Sequence, residues 1–75
     1  MNEGAINQAT DEVLYASARG LVLAHRNASV ALVQRHLRLG YGAACALFGQ
    51  MQEEGVVVPV PGENNRWKLA RSFEK

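Results

Sequence analysis

The sequence predicts a mainly helical α+β domain, three helices followed by a β-hairpin, on three observations. Ala28–Ala44 reads as a short helix, a tight glycine turn and the start of another helix. Ahead of it, Leu14, Ala18, Leu21 and Val22 recur at helical spacing. After Gly55 the period shortens to that of strands. Val56-Val57-Val58-Pro59-Val60 is β-branched, Pro61–Asn65 is dense in turn residues, and Arg66–Ala70 alternates polar and apolar. A helix-turn-helix closed by such a hairpin is the winged-helix arrangement.

Each element has its own local reasons. Thr10 or Asp11 is expected to cap the first helix, which runs to about His25, with Asp11 and Glu12 at the positive end of its dipole. Residues 1–10 are then a flexible lead, residues 11–71 the winged-helix domain and residues 72–75 a tail. Gly20 costs a helix interior roughly 1 kcal/mol relative to alanine, so it is expected where a neighbouring element comes close. Ser29 caps the second helix, whose apolar stripe is Val30, Val33 and Leu37 with Leu32 and Leu39 at its edges. Gly40 is expected to supply the left-handed residue that ends it. A third helix runs from about Tyr41 to Glu54, with Gly55 as its stop. Its Ala44, Leu47, Phe48 and Met51 lie at i, i+3, i+4 and i+7 and must close the core. Pro59 marks an edge strand, and Trp67 beside Leu69 belongs to the core or its edge.

The chain has 75 residues, 48% of them hydrophobic, which suffices for one compact core near the lower size limit for unaided folding. Cys45, the lone cysteine, excludes an intrachain disulfide framework, so stability must come from packing. Neither end reads as a signal peptide and no apolar run is long enough to cross a bilayer, so a cytoplasmic protein is expected, with no membrane partner. His25, His36 and Cys45 form no metal or Cys-His spacing. No phosphate-cradling glycine loop, nucleophile elbow or acid–base pair is present. The reading is of a protein without cofactor, metal or catalytic residues.

The formal net charge is only +1, whereas dedicated nucleic-acid binders are usually more basic. The cations are unevenly placed. Arg19 and Arg26 face Glu3, Asp11 and Glu12 in the first 34 residues. Thereafter Arg35, Arg38, Arg66, Lys68, Arg71 and Lys75 outnumber Glu53, Glu54, Glu63 and Glu74.

The order Asp11–Tyr15, Ala28-Ser29-Val30, Val33-Gln34-Arg35, Leu37-Arg38-Leu39-Gly40-Tyr41, Ala44, Gln50-Met51 and Glu54–Val57 closely resembles the C-terminal gamma domain of FtsK/SpoIIIE-type DNA translocases. The resemblance covers residues 11–70, and its most specific portion is Ser-Val…Val-Gln-Arg…Arg-Leu-Gly-Tyr. It implies a bacterial winged helix that recognises short polar DNA sequences orienting a motor and that contacts a partner recombinase. Without a motor region, the chain is expected to be a free-standing module rather than a translocase.

Carried over by position, Gln34, Arg35, Arg38, Gly40 and Tyr41 match the family's second helix and turn. In the family the tyrosine is followed by asparagine and arginine, then two alanines and another arginine, whose polar side chains reach base edges. Here Gly42, Ala43 and Ala46 stand at those polar positions. None can make a bidentate hydrogen bond to a purine. Double-stranded DNA is therefore the expected partner, with altered or lost base-specific readout. Binding is assigned to Arg35, Arg38, Tyr41 and Gln50 on the helix-turn-helix, and to Arg66, Lys68 and Arg71 around the wing. Asn64 and Asn65 at the wing tip either make the turn or touch a minor groove. The alternative is a protein-interaction module. In it, Gly42, Ala43, Ala46 and Gly49 give a small-residue face that docks a protein partner or a second copy, as an adaptor or inhibitor of phage or mobile-element type would.

Overall fold

The computed structural model describes residues 3–73, with side chains from Glu12 onward. Its elements are α1 (Glu3–His25), α2 (Val30–Leu37), α3 (Tyr41–Glu53), β1 (Val57–Pro59) and β2 (Trp67–Leu69), followed by a 3-10 turn at Arg71–Phe73. This is the winged-helix order that the sequence predicts. The 3-10 turn was not foreseen; it places Phe73 against the core edge.

Helix α1 begins at Glu3, so Thr10 and Asp11 lie inside it rather than starting it. Glu3, Ala5, Gln8 and Ala9 are good helix formers, and a helix already nucleated by packing propagates cheaply through such residues without needing an apolar stripe. The inward face of α1 is also rotated by about a residue from the expected one. Ala18 and Val22 are buried, flanked by Tyr15 and Leu23, whereas Leu14 and Leu21 remain half-buried. Gly20 is exposed, and a Cβ built there would meet no atom within 4 Å. The expected close approach is absent.

All three helices end in the same hydrogen-bonded wrap, in which the chain turns through a left-handed residue. At the end of α3 the Val56 N–H donates to the Met51 carbonyl (2.9 Å) and the Gly55 N–H to the Gln52 carbonyl (3.1 Å), with Gly55 at φ +80°. This is the stop that the sequence predicts. Helix α2 departs from expectation. Its left-handed residue is Arg38 (φ 56°, ψ 50°), two positions before Gly40. The Leu39 N–H bonds the Gln34 carbonyl at 3.1 Å, and that bond sets where the chain must turn. Gly40 is extended (φ −71°, ψ 167°) and serves as the N-cap of α3. Arg26 plays the left-handed part after α1 (φ 51°), where the Asn27 N–H reaches the Val22 carbonyl at 3.1 Å. The Ser29 cap forms as expected, its hydroxyl accepting from the Leu32 N–H at 3.2 Å.

The core joins Ala18 and Val22 of α1, Val33 of α2, Ala44, Leu47, Phe48 and Met51 of α3, and Val56, Val57 and Leu69 of the hairpin. Strand β1 pairs antiparallel with β2 in the register Val57↔Leu69, Val58↔Lys68, Pro59↔Trp67. Val57 and Leu69 point inward, while Val58 and Lys68 face out. Pro59 sits in a two-stranded sheet, where both strands are edges. Trp67 is half-buried, stacked on Phe48 with ring centroids 5.2 Å apart and planes 19° apart, and its indole N–H donates to Gln52 Oε1 at 2.9 Å. It fastens the wing to α3. On the opposite flank the Tyr15 hydroxyl donates to Glu54 Oε1 at 2.8 Å. Burial first, then that hydrogen bond and the nearby Glu54 charge, push the Tyr15 phenol up to about 12.

Candidate nucleic-acid interface

The residues assigned to DNA contact, Arg35, Arg38, Tyr41, Gln50, Arg66, Lys68 and Arg71, are all exposed. They come from different local settings. Arg35 stands in the last turn of α2, and Arg38 in the left-handed turn that follows. Tyr41 opens α3 and is 52% exposed. Arg66 leads into β2, Lys68 lies on its outward face opposite Val58, and Arg71 follows the sheet.

Two grooves on this surface separate some of these residues. The first is polar, about 560 Å³, and lies between Asn27–Val30 of the α1–α2 turn, Tyr41 of α3 and Asn64–Trp67 of the wing. It brings together Tyr41 and Arg66, which the sequence assigns to DNA, with Asn27, Asn64 and Asn65. Asn65 is itself left-handed (φ 57°), a conformation that asparagine tolerates better than most residues. Its side chain and Cys45 both hydrogen-bond Tyr41. The Cys45 bond is the larger influence and raises the phenol above its ordinary value, while the Asn65 bond opposes it. The Arg66 guanidinium lies 3.3 Å from Glu63, an exposed pair of the kind worth about 0–1 kcal/mol.

The second groove is apolar, about 400 Å³, and runs between α1 and α3 along Leu14, Leu39, Ala43, Ala46, Leu47 and Gln50. Gln50 therefore belongs to a different surface from Tyr41 and Arg66. The half-exposure of Leu14 follows from the same geometry, since it forms one wall of this groove. Of the four small residues read as a protein-docking face, Ala43 and Ala46 line it, and Gly42 and Gly49 do not. A Cβ at either glycine would meet nothing within 4 Å. Arg35, Arg38, Lys68 and Arg71 line neither groove.

Sequence reasoning assigned no binding role to Asn27, which it treated only as part of a connection. It also gave no reason to pair His25 with His36. Packing of α1 on α2 brings their rings to 5.7 Å at a 53° tilt, with His36 Nδ1 3.1 Å from the Leu32 carbonyl. Neither feature has a local signal, because each depends on segments distant along the chain. Among the described residues, no group of three or more His, Cys, Asp or Glu gathers as a metal-ligand set. Among them too, no helix is long and apolar enough to cross a membrane.

The family model described as the FtsK gamma domain matches residues 9–70. The chain is 47% identical over 57 residues to DNA translocase FtsK 2 of Ralstonia nicotianae, a match covering 76% of this chain and 7% of that protein. It is 34% identical over 70 residues to DNA translocase FtsK of Halalkalibacterium halodurans, covering 93% and 9%. It is 42% identical over 60 residues to DNA translocase SpoIIIE of Bacillus subtilis, covering 80% and 8%. The chain thus spans less than a tenth of the length of these curated relatives. No solved structure matches it.

Proposed function

The chain belongs to the FtsK gamma domain family, a DNA-binding module in the FtsK translocases, and we propose that it binds duplex DNA without catalysing a reaction and with altered or lost base-specific readout. The observation that carries this reading is the extent of the family match. It takes in α2, α3 and both strands, and with them Arg35, Arg38, Arg66 and Lys68; Arg71 follows directly after the matched residues. In this reading Arg35, Arg38, Arg66, Lys68 and Arg71 contact phosphates, which fixes the domain on the duplex without reading sequence. Tyr41 lines the polar groove. Gly42, Ala43 and Ala46 offer α3 no bidentate partner for a base edge, so sequence preference comes from duplex shape and deformability. Five phosphate contacts give a log–log salt slope of at most about −4.5, modest as the near-neutral charge requires.

The test uses Arg38→Gly rather than alanine, because the left-handed backbone is native to glycine. A left-handed Cβ residue carries a cost of roughly 1–2 kcal/mol, and glycine's greater entropy loss offsets roughly 0.5–1 of that relief. The variant is expected to be as stable as the parent or slightly more so. Its duplex affinity is expected to fall, with the salt slope shallower by about 0.9. Fluorescence anisotropy over a salt series measures both, and unchanged affinity and slope would remove Arg38 from the interface.

A second reading, docking of a protein partner or a second copy on α3, is favoured by the apolar groove beside Ala43 and Ala46. Ala46→Arg fills that groove with a charge. If the groove is a homodimer interface, sedimentation at high micromolar concentration finds a dimer for the parent and a monomer for the variant. Two monomers would discard the homodimer.

A further inference from the structure

On a duplex, the ridge between the major and minor grooves is the sugar–phosphate backbone of one strand. A winged helix that sends α3 into the major groove and its wing toward the minor groove must hold that ridge between them. The polar groove bounded by Asn27, Tyr41 and the wing residues Asn64 and Asn65 lies in that position.

Its chemistry is unusual for a phosphate seat. Among the described residues Arg66 is the one cation lining it, and Glu63 already stands 3.3 Å away. The remaining polar side chains are neutral. The amides of Asn27, Asn64 and Asn65 can donate to phosphate or sugar oxygens, as can the Ser29 O–H, since the α2 cap uses that hydroxyl only as an acceptor. The Tyr41 phenol is engaged with Cys45 and Asn65.

We propose that this groove seats one DNA strand beside Tyr41 through neutral hydrogen bonds from Asn27, Asn64 and Asn65, giving a component of affinity that salt does not weaken. The proposal rests on the DNA-binding reading above and names where part of that affinity resides. Cationic contacts release condensed counterions and therefore lose strength as salt rises; uncharged donors release none. A domain of net charge +1 can hold DNA this way without the basic surface that other binders need.

The two mechanisms separate in a salt titration. Duplex binding of the parent, an Asn27→Ala/Asn64→Ala variant and Arg35→Ala is measured by anisotropy with a labelled mixed-sequence duplex. The bond that ends α1 uses the Asn27 backbone N–H, which alanine retains, and Asn64 is exposed at the wing tip. Circular dichroism and Trp67 fluorescence verify the fold. The asparagine variant is expected to bind about tenfold more weakly at every salt concentration, with the parent's slope. Arg35→Ala is expected to flatten the slope by about 0.9. An asparagine variant that binds like the parent, or whose slope falls as far as that of Arg35→Ala, overturns the proposal and leaves the DNA reading intact. A parent protein that fails to bind the duplex even at low salt overturns both.

Discussion

Phe48→Ala is expected to remove about 3–5 kcal/mol of stability, the range for truncating a fully buried phenylalanine. Phe48 has no exposed surface and stands where α3 meets the hairpin, stacked on Trp67 and within the cluster that includes Met51, Val56 and Val57. No neighbouring element can collapse into the gap without breaking the strand register, so the cavity persists. The consequence is large relative to the whole. Typical stabilities per residue give a 75-residue chain roughly 4–11 kcal/mol in total, so the variant loses at least about a quarter of it. Urea denaturation followed by the fluorescence of Trp67, the one tryptophan, measures it directly. A loss below about 1 kcal/mol would mean that the α3–hairpin junction is not packed as described.

Trp67→Ala is expected to cost about 2–3 kcal/mol, less than a fully buried tryptophan because the ring is half-buried. The location of the damage is more telling than its size. A hairpin of two three-residue strands is not stable alone in water. It is held by Val57 and Leu69 in the core, by the Phe48–Trp67 stack and by the Trp67–Gln52 hydrogen bond. Removing the tryptophan releases the wing first. Amide exchange is expected to lose protection at Val60 and Ala70, which bond the Arg66 and Val56 carbonyls, while Phe48 and Val33 stay protected. Trp67→Phe keeps the stack and should restore most of the protection. Equal loss at helical and wing amides would instead make the domain one cooperative unit.

What could be read from the sequence was what depends on near neighbours. The Ser29 cap, the Gly55 stop and the Ala44–Leu47–Phe48–Met51 stripe each involve residues within a turn or two, so composition and period reveal them. The strands around Pro61–Asn65 were legible for the same reason. Arg38 shows the limit of such rules. Glycine is the preferred left-handed residue, so Gly40 is the natural choice from sequence, yet the Leu39-to-Gln34 hydrogen bond turns the chain at Arg38. The candidate site was legible only as a set of exposed residue types. Its division into a polar groove that includes Tyr41 and Arg66 and an apolar groove that includes Gln50 was not.

The sequence by itself determined the order and nature of the elements, the core face of α3, and membership of the FtsK gamma domain family. It also placed the small residues Gly42, Ala43 and Ala46, which have no hydrogen-bonding side chain, on α3. Periodicity, caps and motif spacing are local properties, and one strand of text contains them. Only the tertiary structure decided which face of α1 is buried, that Leu14 opens a groove against Ala43 and Ala46, and that Asn27 meets Asn64 and Asn65 across Tyr41. Those meetings depend on how α1 and the hairpin pack around α2 and α3. Such packing joins residues far apart in the chain, where no local pattern constrains their distance.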